Sequence, residues 1–287
     1  MENVLDIQNL NKDYGGFKLD NISVSLPPGH IMGLVGPNGS GKTSLIKIIL
    51  NLILKDTGDI KVFGLDQQKY ILEIKQRIAF IHDDHKYFNH LNLKQVKNII
   101  APFYQNWDEA IFNDFIKKFN LPLNKVIGEM SRGMVTKGAL AIAFSHHADF
   151  IIMDEPTASL DPSSRRELLD LLRELMQHEK RSILFSSHIT TDIEQIADYV
   201  TFLKEGKLVF TKTKDELSES YALIKGGNDL LNTGIENHFI GIRKNEFGFE
   251  ALTNEIDPIR KKYNNSVVID PANLEDIIYF STLKDLK

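Results

Sequence analysis

Eight residues near the start of the chain have the types and spacing needed to bind a phosphate group. The glycines let the backbone curl so that successive N–H groups point at one anion, Lys42 can reach β- and γ-phosphates, and the Thr43 hydroxyl can ligate Mg²⁺. Such an octet arises by chance in a chain of this length with a probability of about 1%. We therefore expect a nucleotide site rather than a glycine-rich turn. The octet, which fits the pattern G-x-x-x-x-G-K-[ST], is Gly36-Pro37-Asn38-Gly39-Ser40-Gly41-Lys42-Thr43.

The segments on either side of this loop are suited to hold it in place. The apolar residues 31–35 before it predict a buried strand, and residues 44–50 after it have helical character. The positive end of the helix dipole would then face the bound phosphate. This strand–loop–helix context is what the motif needs in order to work.

A pair of acidic residues forms a second candidate site. Asp154 and Glu155 follow the apolar run 150–153, which predicts a central parallel strand. Ligand sites in open α/β sheets lie at the carboxyl edge of such strands. Asp154 could hold Mg²⁺, directly or through water, and Glu155 could orient or deprotonate an attacking water. A solvated carboxylate pair would be the better interpretation in isolation, but the upstream phosphate loop favours the catalytic one.

The composition narrows the class of protein. The 287 residues, 42% hydrophobic and 25% charged, suffice for one large domain and a small one. The net charge of −5 argues against a general nucleic-acid binder. Without cysteine the chain has no disulfide framework and no thiolate metal site, which suits a reducing cytoplasm. The best candidate for a membrane span, residues 45–54, is too short, so a membrane role would have to come through a partner.

The order of predicted elements indicates an α/β protein with a smaller appendage. The first 30 residues predict antiparallel strands, and residues 92–145 predict mostly helices. Further strands are predicted at 78–81 and 183–186 and as a hairpin at 199–203 and 207–210, with a helix over 163–179. Beyond about Leu217 the chain changes character, and we expect a small α+β domain there.

Several further motifs follow in a fixed order and resemble those of the ATP-binding subunit of an ABC transporter. The resemblance covers residues 1 to about 215, and five motifs in the right order are far more specific than any one alone. Besides the phosphate loop, the motifs are Ser131-Arg132-Gly133-Met134 (signature), Asp154-Glu155-Pro156-Thr157 (Walker B with the catalytic glutamate), Ser159-Leu160-Asp161 (D-loop) and His188 (switch histidine), and Tyr14 stands at the position of an adenine-stacking aromatic residue.

This resemblance implies a fold and a division of the chain. The fold would be a P-loop NTPase core of the ABC type, with an N-terminal antiparallel β subdomain and a helical subdomain at about 84–146. Residues 1–216 would form the nucleotide-binding domain and residues 217–287 the accessory α+β domain. ATP and Mg²⁺ are the implied cofactors.

The resemblance also implies roles and partners. Glu155 would be the general base, and His188 would orient the γ-phosphate and the water. Ser131 and Gly133 would contact ATP bound to the phosphate loop of a second subunit in a head-to-tail homodimer or heterodimer. Thr43, Asp83 and Asp154 would be the metal ligands. An integral-membrane permease would be the other partner, at the cytoplasmic face of the membrane, and no nucleic acid is expected.

Two residues depart from the family pattern. Arg132 stands where the signature usually has glycine, and its side chain either places a charge near the nucleotide or points to solvent. Asp83 stands where the Q-loop usually has glutamine; a carboxylate can ligate Mg²⁺ but cannot donate hydrogen bonds as an amide does. Asp84 is the alternative if the register differs by one residue.

Two clusters near the Q-loop have alternative interpretations. The histidines at 82, 85 and 90 lack the spacing of a metal site and are better explained as loop residues. The aromatic residues at 87, 88, 103, 104 and 107 form either a subdomain core or a socket for a membrane partner. The histidines at 146 and 147 are expected at a helix end.

The lone nucleotide-binding domain with its small appendage resembles bacterial peptide, antibiotic or drug exporters whose permease is a separate chain, such as exporters of phenol-soluble modulins, bacitracin or lantibiotics. A soluble ABC ATPase of translation or DNA repair is the alternative. The translation type usually has two such domains in one chain and the repair type a long coiled-coil insertion, and neither is present. The signature and switch-histidine motifs disfavour a P-loop kinase or GTPase.

Overall fold

The computed structural model of the protein describes residues 2–82, 89–178, 181–263 and 266–283. Asp83 and Asp84, the predicted Q-loop positions, lie outside the described residues, as do His85, Tyr87 and Phe88. The chain divides into two compact units, Met1–Thr211 and Lys212–Lys287.

The strands of the first unit form a ten-stranded sheet in the order β5-β4-β1-β2-β10-β9-β3-β8-β7-β6, with the last two residues of β10 belonging to the second unit. They are β1 (Leu5–Asp13), β2 (Lys18–Leu26), β3 (Ile31–Val35), β4 (Thr57–Val62), β5 (Leu65–Asp66), β6 (Ile78–His82), β7 (Phe150–Asp154), β8 (Ser182–Ser187), β9 (Tyr199–Lys204) and β10 (Lys207–Thr213). The helices that begin in this unit are α1 (Lys42–Ile49), α2 (Ile71–Arg77), α3 (Leu93–Ile100), α4 (Glu109–Lys118), α5 (Arg132–Ser145), α6 (Pro162–His178) and α7 (Thr190–Ile196).

The centre of this sheet is parallel and buried. Every residue of β3, β7 and β8 is buried, as expected for near-continuous apolar strands covered on both faces. The register pairs His82 with Asp154, Asp154 with Ser186 and Val35 with Ser187. The carboxyl ends of β3, β6, β7 and β8 therefore meet at one edge of the sheet, where the phosphate loop also begins.

The N-terminal part of the sheet is antiparallel. β1 pairs with β2 on one side and β4 on the other. Leu5 and Ile7 are buried, whereas Gln8 is exposed, so the inward and outward alternation of a one-sided strand is present. The sequence predicted this antiparallel segment correctly.

Helices α3, α4 and α5 enclose a separate apolar core that includes Leu93, Phe112 and Ile116. Side chains cap the start of each helix. Asn92 accepts from Gln95 N, Asp108 accepts from Ala110 N and Ile111 N, and Ser131 accepts from Met134 N. Such caps satisfy N–H groups that have no partner within the helix.

The second unit contains α8 (Lys214–Ser220), β11 (Ala222–Gly226), β12 (Gly241–Asn245), β13 (Gly248–Thr253), α9 (Ile256–Tyr263), β14 (Val267–Pro271) and α10 (Leu274–Leu283). Its four strands form an antiparallel sheet in the order β12-β13-β11-β14. This order matches a ferredoxin-like βαββαβ unit in which 3₁₀ turns at Asn228–Thr233 and Ile235–His238 replace the first helix.

Candidate functional site

The phosphate loop connects β3 to α1 and has a backbone that requires glycine. Gly41, the N-cap of α1, has φ +107°, a conformation that side chains rarely adopt. A side chain at Gly36 would collide with the carbonyl oxygen of Leu203. The loop therefore lies tightly against β9, and its glycines are needed for its shape as well as for access to a ligand.

Lys42 is buried at the start of α1, with only 6% of its surface exposed. Its ammonium group donates to Gly36 O at 2.7 Å and lies 3.5 Å from Glu155 Oε1. A buried cation needs such partners, because desolvation is costly unless the charge is paired. The lysine thus contacts both the loop and the carboxylate that the sequence assigned as a catalytic base.

Glu155 follows β7 directly and has a left-handed backbone with φ +53°. Its N–H donates to Ser186 Oγ at 3.0 Å. Its Oε2 accepts from the backbone N–H of His188 at 3.3 Å and lies 2.7 Å from His188 Nδ1. A non-glycine residue in this region is strained, and such strain persists where surrounding contacts enforce it and clusters at functional sites.

Asp154 is the buried neighbour of Glu155, with 1% of its surface exposed. Ser186 Oγ donates to its Oδ1 at 2.6 Å, and its Oδ2 lies 3.7 Å from His82 Nδ1. One carboxylate oxygen is therefore fixed by a hydrogen bond and the other faces the strand end of β6. A carboxylate held in this way, with the Thr43 hydroxyl on the adjoining loop, supplies the hard oxygen ligands that Mg²⁺ prefers.

A cavity of about 530 Å³ opens at this edge of the sheet. It is lined by Phe17, Asn38, Gly39, Ser40, Gly41, Lys42, Thr43, Ser44, Glu155, Ala158 and His188. The structure thus brings most predicted residues of the phosphate loop together with Glu155 and His188. Asp154 is buried and does not line the cavity, and Gly36 and Pro37 are the loop residues whose carbonyls face Lys42.

Tyr14, the predicted adenine-stacking residue, does not line this cavity. Its ring is 40% exposed and lies 6.1 Å, centroid to centroid, from that of Phe17, which does line it. Both belong to the turn between β1 and β2. The sequence indicated an aromatic residue from this turn, but the fold of the turn decides which ring faces the cavity.

Ser131 and Gly133 lie at the first turn of α5 and are also absent from the cavity lining. Ser131 and Arg132 are exposed, and no acidic residue lies in the first turn. Ser131 Oγ accepts from Met134 N, and the positive end of the helix dipole favours an anion at this end of α5. The predicted contact of these residues with a phosphate is therefore not made within the cavity of their own chain.

Ser186 is the main site residue that the sequence alone did not reveal. It bonds the Asp154 carboxylate and the backbone N–H of Glu155. The signal was indirect: Ser186 is in register with Asp154 on the neighbouring strand. A polar residue at the end of a predicted strand beside an acidic strand end is the pattern that could have found it.

The aromatic residues expected near the Q-loop divide between two environments. Trp107 packs against the helical core and lies 5.8 Å from the ring of Phe112. Tyr104 stacks on His146. Phe103 is 74% exposed. The described part of this cluster is therefore partly core and partly surface.

Comparisons with known proteins identify the family. The model of the ABC transporter family matches residues 19–158. BcrA of Bacillus licheniformis, a bacitracin transport ATP-binding protein, is 32% identical over 73% of this chain and 69% of its own length. SrtF of Streptococcus pyogenes, a lantibiotic transport ATP-binding protein, is 31% identical over 74% of this chain and 92% of its own. YtrB of Bacillus subtilis, an ABC transporter ATP-binding protein, is 29% identical over 77% and 76%.

Solved structures share the fold of this chain. An ATP-binding subunit of an ABC transporter superposes with a TM-score of 0.67 at 25% identity, over 75% of this chain and 91% of that one. An ATP-binding cassette in its ADP conformation gives 0.64 at 23% identity, over 75% and 93%. The chain belongs to the family of ABC transporter ATP-binding proteins.

The expected fold class and activity are thereby confirmed. The chain is an ATP-binding and ATP-hydrolysing subunit that energises an ABC transporter, and subunits of this kind work with a membrane permease. The alternative role in translation or DNA repair is not favoured. Among the helices that the structure describes, none is long and apolar enough to cross a membrane.

Proposed function

We propose that this chain drives the export of peptides, antibiotics or other amphipathic compounds. The observation that carries the motor role is the convergence of Lys42, Glu155 and His188 on one cavity beside the phosphate loop. The substrate class is supported by relatives that are named for bacitracin and lantibiotic transport.

ATP binding would begin with a change of partners at Lys42. In the structure its ammonium group contacts Gly36 O and Glu155 Oε1. A bound triphosphate would have to replace these two acceptors. Phosphate oxygens are stronger acceptors than a carbonyl, because ionised acceptors give the stronger hydrogen bonds. Lys42 and the N–H groups of the phosphate loop would then stabilise the charge of the phosphates, and Glu155 would be released to act on water.

Glu155 is the proposed general base and His188 its orienting neighbour. The His188 ring and backbone N–H fix one carboxylate oxygen, and the other oxygen faces Lys42. A base held at its reaction position contributes roughly 10²- to 10⁴-fold to such a reaction. Most of the remaining catalysis of phosphoryl transfer is positioning and electrostatic stabilisation.

The residues at this edge fit a magnesium ion. Thr43 and Asp154 would hold it, with Asp83 as a further carboxylate outside the described residues. When bound, Mg²⁺ supplies charge neutralisation at the phosphate oxygens. Ser186 would keep the Asp154 carboxylate oriented, since it donates to one of its oxygens.

A second subunit is proposed to complete each ATP site. Ser131 and Gly133 are suited to a phosphate but do not line the cavity of their own chain. A head-to-tail dimer, homomeric or heteromeric, would place this helix start against the ATP on the partner's phosphate loop. Tyr14 or Phe17 would stack on the adenine.

The membrane partner is proposed to be a separate permease, which would hold the chain at the cytoplasmic face. Two apolar side chains, Leu72 and Phe103, are 79% and 74% exposed and offer a surface for it. Residues 1–216, with the helical subdomain at about 84–146, would work as the nucleotide-binding domain, and residues 217–287 as an accessory domain.

Export can be tested in the natural host. The gene is deleted and restored either as wild type or as Glu155→Gln, and the minimal inhibitory concentrations of bacitracin and of a lantibiotic are measured. We expect deletion to sensitise the cells and only the wild type to restore resistance. Unchanged resistance to both compounds after deletion would refute export of these classes and leave the ATPase assignment standing.

A further inference from the structure

A buried histidine outside the ATP site joins two elements of the first unit. His146 is the residue that follows α5, and only 3% of its surface is exposed. Its Nδ1 lies 3.0 Å from Ile142 O in α5, and its Nε2 lies 3.3 Å from Ile78 O, at the first residue of β6. We call these two contacts the His146 bridge.

Both carbonyls need a donor from outside their own element. The last four carbonyls of a helix have no intrahelical partner, and the backbone N–H of His146 donates to Phe144 O rather than to Ile142 O. β6 is the edge strand of the sheet, and Arg77 O accepts from Asp149 N on the β7 side. Because successive carbonyls of a strand point in opposite directions, Ile78 O faces the open edge, towards His146.

The ring cannot satisfy both carbonyls when it is neutral. A neutral imidazole has one N–H, so one nitrogen donates while the other presents a lone pair. Burial lowers the pKa of His146 to about 4, which keeps the ring neutral at pH 7. The Tyr104 ring stacks on it at 3.8 Å with an interplanar angle of 13°. The bridge therefore has two alternative forms, one that bonds α5 and one that bonds β6.

We propose that His146 is a positioning residue for ATP hydrolysis, and that its N–H changes between Ile142 O and Ile78 O as the site passes through its cycle. In the change one ring nitrogen gives its proton to a water molecule and the other nitrogen takes a proton from water, so the ring keeps one proton in both forms and its net charge is unchanged. This inference rests on the proposed role of Ser131, since α5 carries Ser131 at its other end, about 20 Å away. β6 ends at His82, next to Asp154 in register.

The consequence is a mechanical connection between the two phosphate-facing surfaces. When Nδ1 carries the proton, the end of α5 is bonded and β6 is released. When Nε2 carries it, the edge of β6 is bonded and α5 is released. An element with two discrete arrangements that both sites bias is the physical requirement for coupling between them.

Two substitutions separate the halves of the bridge. In His146→Asn the amide nitrogen takes the place of Nδ1, which keeps the bond to Ile142 O. In His146→Gln it takes the place of Nε2, which keeps the bond to Ile78 O. We expect kcat to fall in both variants by between about 2-fold and about 30-fold, with the Kd for ATP unchanged. The rate is normalised to the number of ATP molecules bound, so that loss of folded protein does not count.

The matched control is the neighbouring residue. His147 is exposed and has φ +56°, a conformation that asparagine tolerates. His147→Asn should keep the parent kcat. If both His146 variants have the same kcat per bound ATP as the unsubstituted chain, the proposed role of the His146 bridge is wrong. If the unsubstituted chain hydrolyses no ATP, the proposed function is wrong instead.

The bridge is observed directly by ¹⁵N NMR of the full chain labelled at histidine, because ring nitrogen shifts report which nitrogen carries the proton. The Glu155→Gln chain is compared with and without ATP, and His146→Gln assigns the signal. We expect the ratio of the two forms to change when ATP binds. An identical ratio in both states would overturn the inference, and a failure of ATP to bind would overturn the proposed function and this inference with it.

Discussion

Two regions of the molecule are suited to phosphate, and they differ in how their charges are satisfied. The P-loop half-site consists of Lys42, Glu155 and His188, which contact one another at 3.5 and 2.7 Å around a cavity. The Ser131 half-site consists of Ser131 and Gly133 at an exposed helix start. In the first, the charged groups pair with one another; in the second, Ser131 Oγ accepts from Met134 N and no acidic residue lies in the first turn of α5.

This difference bears on how the site works. The Glu155 carboxylate compensates the charge of the buried Lys42, and in the proposed mechanism a nucleotide separates the two groups. The first turn of α5 contains no acidic side chain that would repel an anion. The account predicts that a substitution in the first half-site impairs hydrolysis of the ATP bound to the same chain. A substitution in the second half-site should impair hydrolysis of the ATP bound to the partner.

The largest effect is expected from Glu155→Gln in the P-loop half-site. Hydrolysis should fall by roughly 10²- to 10⁴-fold, because the amide cannot take a proton from water. ATP binding should persist, since the substitution also removes the competing carboxylate beside Lys42. Steady-state hydrolysis and equilibrium dialysis with ATP check both halves of the prediction. Hydrolysis at the parent rate would show that Glu155 is not the base.

The next effect is expected from Ser131→Asp in the other half-site. Aspartate caps a helix as well as serine does, so α5 should stay folded. The negative charge of the new aspartate would, however, repel a phosphate. Hydrolysis should fall about 10²-fold, the cost of losing one stabilising donor in a transition state. Asn92→Asp is the control, because it makes the same kind of change at the cap of α3. Equal losses in the two variants would contradict a specific role for Ser131.

A smaller effect is expected on binding when Lys42 becomes alanine. Charge-assisted hydrogen bonds contribute about 1.5–3 kcal/mol, so ATP affinity should fall by roughly 10- to 100-fold. Lys47→Ala, an exposed position on the same helix, should leave the affinity unchanged. Isothermal titration with ATP compares the two. An unchanged Kd in Lys42→Ala would contradict the assignment of the phosphate loop.

The smallest effect concerns stability at the far end of α5. Burial lowers the pKa of His146 to about 4 from an ordinary value of 6.5, so the unfolded chain binds the proton more readily. Stability from this group is present above pH 6.5 and is lost as pH falls towards 4. Between pH 7 and pH 5.5 the loss should be about 1 kcal/mol. Urea unfolding at the two pH values should show that loss in the parent and less of it in His146→Gln.

The residues of the P-loop half-site were largely predictable, because most of them are consecutive in the sequence and form recognisable motifs. The octet 36–43 needs its glycines for its backbone, and Asp154 and Glu155 follow a strand that is apolar throughout. The contacts between side chains within the site were harder to predict from the sequence. Ser186 contacts Asp154 only because β7 and β8 pair in that register, and Phe17 lines the cavity only because of the turn between β1 and β2.

In the fold, too, the features set by local sequence were predictable and those set by tertiary pairing were not. Strand and helix alternation predicted the parallel centre, and the change of character near Leu217 predicted the small α+β unit, whose border lies at Thr211 and Lys212. The ferredoxin-like strand order of that unit was not predictable, because 3₁₀ turns replace its first helix and periodicity gives no signal there. The His146 bridge depends on the meeting of α5 with an edge carbonyl of β6, which pairing decides rather than local sequence.

The central claim is that the two half-sites act together across two chains, and mixing two defective variants tests it most directly. Lys42→Ala lacks the first half-site and Ser131→Asp lacks the second. In a mixed dimer the phosphate loop of the Ser131→Asp chain meets the intact Ser131 of the other chain, which restores one complete site. We predict that the mixture hydrolyses ATP faster than either variant alone, whereas a rate equal to the average of the two would contradict a composite site.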